Sequence, residues 1–127
     1  MIQKQTYLNV IDNSGAKTVC CIHISKGYRR RYANIGDIIV VSVKNLRIKR
    51  RALSKIKKGD VLNALIVRSK KFKIFSIKNS FSFSENSVIL LNTQFKMLGT
   101  KIFGCLPIYL RYTKFLRVIS LASGFVK

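Results

Sequence analysis

The sequence predicts a mainly β domain, a small closed β-barrel followed by a short helical tail. Two observations carry that prediction. Period-2 alternation and β-branched runs dominate the first two-thirds of the 127 residues, broken by turn formers at short intervals. The last third changes to apolar residues at i, i+3 and i+4. Short strands with turns between them fit a closed barrel better than a parallel sheet, which would need helical crossovers.

Thr6 to Ile11 reads as the first strand, and Asp12-Asn13-Ser14-Gly15 after it is a cluster of turn formers. Lys17 to Ser25 is the second strand, with Val19, Cys21 and His23 predicted on one face. Lys26 to Asn34 is polar and basic, a hairpin or loop. Ile35-Gly36-Asp37 turns into a third strand, Ile38 to Lys44, whose apolar run reads as buried on both faces. Asn45 to Asp60 is a long basic connection. Val61 to Ser69 and Ser87 to Asn92 follow as strands, with a ribbon expected between Lys73 and Phe83. Leu106 to Tyr112 and Lys114 to Leu121 read as two short helices, Pro107 sitting in the first turn of the first. Thr100 to Gly104 alternates as an edge strand would. One domain spans 1–127, barrel to about 104 and helices over about 105–122.

Charge narrows the function. There are 25 Lys and Arg against 4 Asp and Glu, a formal net charge of +21. With 48% hydrophobic residues the chain is too apolar for a disordered basic tail. Such self-repulsion destabilises a compact state unless a polyanion neutralises it. A folded, nucleic-acid-bound module is expected. A free regulatory RNA-binding module is the rival from another class, and a nucleic-acid-processing enzyme is the distant third.

Other classes fall away. The longest uncharged apolar stretch, Ile102 to Leu110, has nine residues, short of the roughly 18 a membrane helix needs, so no membrane partner is expected. The opening residues read neither as a signal nor as a transit peptide. Cys20, Cys21 and Cys105 show no C-x-x-C spacing, and the lone His23 completes no metal set; reduced packing cysteines, no metal and no cofactor are expected. The acids Asp12, Asp37, Asp60 and Glu85 are scattered beside Gly or Asn and read as turn-capping carboxylates, not a catalytic pair, so no enzyme is expected. No glycine pattern forms a phosphate-cradling nucleotide loop.

Three basic clusters hold 16 of the 25 cations, all in expected loops or at strand ends. Lys26 and Arg29 to Arg31 form the first. Lys44, Arg47, Lys49, Arg50, Arg51, Lys55, Lys57 and Lys58 form the second, and Arg68, Lys70, Lys71 and Lys73 the third. A merely solubilising surface would intersperse acids, yet residues 38–59 and 86–127 contain none. The expected RNA contacts are Arg29, Arg30, Arg31, Lys49, Arg50, Arg51, Lys57, Lys58, Arg68, Lys70 and Lys71. Tyr28 and Tyr32 flank the Arg triplet and Phe72 and Phe75 flank Lys73; base stacking is one reading, strongest for Tyr28, and packing is the other.

The blocks MIQKQTYLNVIDNSGAK, RRYANIGDII, KKGDVLNALIVRSKK, VILLN, GTKIFG and KFLRVISLA occur in this order. Together they resemble the bacterial and organellar type of large-subunit ribosomal protein fourteen, over Met1 to Ala122. The resemblance implies a five-stranded β-barrel with a projecting β-ribbon and two short C-terminal helices. It implies binding to large-subunit rRNA and contact with a neighbouring large-subunit protein, number nineteen in bacteria, which would extend the Thr100 to Gly104 edge by β-augmentation. It also implies a subunit-interface patch. Residues matching Thr100, Lys101, Arg117 and Ser120 would face small-subunit rRNA at an intersubunit bridge, and a ribosome-silencing factor would use the same patch. Arg117 and Ser120 are three apart on the expected last helix and share a face, with Phe115, Val118, Ile119 and Leu121 turned inward.

The sequence departs from the family pattern in places. The Lys44 to Lys58 connection is longer and lacks a proline, the Asp-Gly hairpin tip is replaced near Ile77 to Asn79, and Ser84-Glu85 replaces a second Asp-Gly. The ending is Ala122-Ser123-Gly124-Phe125-Val126-Lys127 in place of Ala-Pro-Glu-Val. Ile and Lys make 32 of the 127 residues and Ala only five, the bias of AT-rich codons. Drift of this kind points to a mitochondrion, with a plastid or a bacterial cytoplasm as the alternative.

Overall fold

A computed structural model describes residues 1–25, 27–48, 56–71, 73–76, 79–112 and 115–126. Five strands close into a barrel: β1 (Tyr7–Val10), β2 (Ala16–Ile24), β3 (Ile38–Leu46), β4 (Val61–Arg68) and, after a two-stranded ribbon of β5 (Lys73–Ser76) and β6 (Asn79–Phe81), β7 (Ser87–Leu91). Neighbours pair antiparallel except at the closing seam, where β1 runs parallel to β7. The alternating residues Leu8, Val10, Val19, Cys21, Ile39, Val41 and Val43 fill the interior, and β7 is buried at all five positions. Each large side chain so buried contributes roughly 1.5–3 kcal/mol.

Asp12 locks the seam. Its carboxylate is wholly buried, accepts the Ser14 N–H at 2.9 Å and the Ser14 hydroxyl, and accepts the Leu90 N–H of β7 at 2.9 Å. Gly99 lies so close that an added Cβ would sit 2.8 Å from the Asp12 Cβ.

Several expectations are corrected. β3 is not buried on both faces: Ile39, Val41 and Val43 point inward, while Ile38, Val40 and Ser42 are half-buried on the outer face. His23 is exposed, because a register shift between Cys21 and His23 breaks the alternation and turns Ile24 inward. Pro107 starts no helix; it ends β8 (Cys105–Pro107), which pairs in parallel with β9 (Gly124–Val126). Among the described residues the two expected short helices are a 3-10 turn over Ile108–Tyr112 and one α-helix, α1 (Leu116–Ser120). Thr100 to Gly104 forms no strand; Ile102 makes a single bridge to Asp12, flanked by Asn13 N–H to Lys101 O and Phe103 N–H to Ile11 O. Cys21 is buried, Cys20 half-buried and Cys105 exposed, so only Cys21 is a core residue. Burial pushes the Cys21 thiol up from its ordinary value.

Candidate nucleic-acid interface

Strand direction sorts the cations. β1, β3 and β7 run one way and β2 and β4 the other, so the β2–β3 and β4–β5 connections open at one end of the barrel. Arg29, Arg30, Arg31, Lys70 and Lys71 therefore share that end, all exposed. The β1–β2 and β3–β4 connections open at the other end, which carries exposed Lys57 and Lys58. Thr100 and Lys101 belong to this second end. Both donate backbone N–H to Asn13 Oδ1, at 2.7 and 3.1 Å, and Asn13 Nδ2 donates to Thr100 Oγ1 at 2.9 Å. Lys49, Arg50 and Arg51 lie outside the described residues, as do Lys26, Lys55 and Phe72.

Sequence reasoning missed Lys4. Ile2 and Ala33 exchange both backbone hydrogen bonds, at 3.0 and 2.8 Å, which brings the N-terminal turn against the Arg29–Arg31 loop. Gln3, Lys4 and the three arginines line one concavity of about 570 Å³. Nothing local to Lys4 signals this; it follows from a bridge across some thirty residues. Within the loop, Arg30 pairs with Asp37 at 3.3 Å and donates Nε–H to the Tyr32 carbonyl at 3.1 Å. Arg29 holds φ at +56°, a left-handed backbone that costs an L-residue about 1 kcal/mol. Its guanidinium lies 5.2 Å from the Tyr28 ring centroid.

The three aspartates cap turns. Asp37 accepts the Asn34 N–H at 2.9 Å and Asp60 the Lys57 N–H at 2.8 Å, as Asp12 accepts Ser14. Asp60 thereby holds the tight turn that presents Lys57 and Lys58. Glu85 accepts from Asn9 at 2.8 Å, from Ser87 at 3.0 Å and from Arg68 at 3.3 Å. The Asn9 hydrogen bond, with Ser87 and Arg68 adding to it, holds its carboxyl below the usual carboxylate range against an opposing desolvation.

Arg68 differs from the other expected contacts. Its side chain is only 13% exposed, and its guanidinium donates to the Phe103 carbonyl at 2.7 Å and the Cys105 carbonyl at 2.9 Å while pairing with Glu85. Gly104 makes that reach possible: at φ +81° it lies between the two carbonyls, and a Cβ there would collide with the guanidinium. Arg47 is similarly engaged, donating to the Val10 carbonyl at 2.8 Å and lying 5.5 Å from the Phe103 ring centroid.

The sequence model of one protein family, ribosomal protein L14p/L23e, matches residues 1–126 of the 127. The chain belongs to that family. An L14p/L23e protein is a structural constituent of the large ribosomal subunit, located on the ribosome and associated with large-subunit rRNA and ribosomal proteins; the family's role is structural, not enzymatic. In this L14p/L23e chain α1 buries Val118 and Ile119, half-buries the flanking Phe115 and Leu121, and exposes Arg117 and Ser120. The Ser120 hydroxyl donates to the Arg117 carbonyl at 2.9 Å, so the two residues share one outward turn. Thr100 and Lys101 are fixed separately, through Asn13 of the β1–β2 turn.

Proposed function

We propose that this L14p/L23e protein clamps separate segments of large-subunit rRNA against the two ends of a rigid barrel. The observation that carries this reading is the charge separation. Exposed cations occupy both ends, while each of the four acids is tied up in hydrogen bonds of its own fold. Arg29, Arg30, Arg31, Lys70 and Lys71 would serve one end, and Lys57 and Lys58 the other, together with Lys49, Arg50 and Arg51 of the same connection. Phosphate neutralisation with counterion release supplies the affinity. RNA shape supplies most of the specificity, because an A-form duplex hides its major groove. Arg68 contributes as a strut under the 103–105 segment. Site-directed hydroxyl-radical cleavage from probes placed beside Arg31 and beside Lys58 tests the clamp. Two separate rRNA tracts should be cut, and a single shared tract would refute it.

The same reading gives Thr100, Lys101, Arg117 and Ser120 to the subunit interface, facing small-subunit rRNA and open to a ribosome-silencing factor. It gives the chain from Thr100 to Gly104 to a neighbouring large-subunit protein, number nineteen in bacteria. The codon bias supports a mitochondrial ribosome. Sedimentation of an organelle lysate tests the assignment: the chain should travel with large subunits, and recovery among soluble proteins would refute it.

A further inference from the structure

The corner made by the N-terminal turn and the 27–32 loop offers more than charge. Tyr28 is 89% exposed, and with the Arg29 guanidinium over one face its other face is left to solvent. Beside it lies the open concavity lined by Lys4 and the Arg triplet, a shallow cationic surface. Two parts of its wall are anchored. Arg30 is pinned by Asp37 and the Tyr32 carbonyl, and Lys4 sits in a Gln3–Thr6 turn that Gln5 N–H ties to the Cys21 carbonyl at 2.6 Å.

We propose that this corner holds one unpaired RNA nucleotide, its phosphate between Lys4 and Arg31 and its base stacked on the open face of Tyr28. The inference rests on the rRNA-binding reading and deepens it by naming a single-stranded element. A duplex keeps its base faces stacked inside the helix and gives an exposed ring nothing to stack on, whereas an unpaired base presents a π-face of any identity. A bare phosphate would engage the cations and leave Tyr28 idle. Lys4 and Tyr28 together thus distinguish a nucleotide from an anion.

The test measures binding of the full chain to an oligouridylate and to an A-form duplex of matched length, across a salt series. Tyr28→Ala should weaken oligouridylate binding by about fivefold or more with no change in salt slope, and leave the duplex unaffected. Tyr28→Phe should keep wild-type affinity, and Lys4→Ala should flatten the single-strand slope by about 0.7. Tyr28 touches no part of the barrel interior, so these variants fold. Equal loss on both RNAs, or no loss on either, overturns the proposal. Competition by polyglutamate as effective as by oligouridylate, and insensitive to Tyr28, also overturns it by making the corner an acidic-protein site. Failure of the wild type to bind either RNA would sink the rRNA-binding reading itself, whereas an effect missing only in Tyr28→Ala leaves that reading standing.

Discussion

Replacing Arg29, Arg30 and Arg31 together by alanine gives the most quantitative check on the interface. Each phosphate contact on single-stranded RNA adds about 0.7 to the magnitude of the slope of log K against log salt. Three independent contacts would therefore remove about 2.1. The structure lowers that figure, because Arg30 is already paired with Asp37 at 3.3 Å and donates to the Tyr32 carbonyl. Only Arg29 and Arg31 count fully, and the expected decrease is about 1.4. Between roughly 50 and 200 mM salt, that removes about sevenfold of the affinity change. A companion variant reverses the sign. Asp37→Asn keeps an oxygen for the Asn34 N–H but releases Arg30, and should steepen the slope by up to about 0.7. Fluorescence anisotropy on a single-stranded large-subunit rRNA fragment reads both. A triple variant with the wild-type slope would show three solvated arginines and refute the assignment. An Asp37→Asn slope no steeper than wild type would refute the account of Arg30.

Asp12→Ala strands the buried Leu90 N–H and should lower stability by about 2–3 kcal/mol in urea unfolding, a loss that a change under half that size would contradict. Glu85 has a folded pKa below its ordinary 4.5, so its contribution is present above that value and is lost as pH falls through the folded one. The melting temperatures of wild type and Glu85→Gln should accordingly converge as pH drops below about 4.5, and a gap that persists at lower pH would show another cause. Gly104→Ala forces the Arg68 guanidinium off its carbonyls and should destabilise the fold while leaving the RNA salt slope unchanged; a flatter slope would make Arg68 a phosphate contact after all. Charge reversal at Lys101 and Arg117 should weaken subunit joining in a reassociation assay with large-subunit assembly intact, and failure of assembly first would place these residues elsewhere.

Strands β1 and β3 were legible because alternation is a local property that the residue order carries, whereas β7 showed as a short continuous apolar run buried at all five positions. Among the described residues, the exposed cations Arg29, Arg30, Arg31, Lys57, Lys58, Lys70 and Lys71 stand where the chain leaves the barrel sheet, as their polar, turn-rich surroundings in the sequence indicate. The aspartate caps followed from their Gly and Asn neighbours. What escaped depends on distance in the chain. The shift at Cys21–His23 is set by pairing with β3, not by the second strand's own sequence. Pro107 sits in a strand because β9, too short and too polar at its start to announce itself, supplies the partner. Lys4 joins the arginines only through the Ile2–Ala33 bridge, and Arg68 turns inward only because Gly104 leaves room beside carbonyls more than thirty residues away.

The parallel seam between β1 and β7 imposes an order in time. Synthesis delivers β1 early, and β2 can pair with it at once, but the other edge of β1 waits for residues near Leu90, 78 positions after Asp12. Closing so long a loop is slow compared with hairpin formation. In that interval the Arg29–Arg31 loop and the Lys57–Lys58 turn already exist, on a scaffold whose like charges resist its closure. Strand β7, with no exposed position of its own, is the piece whose arrival converts a half-made sheet into a barrel.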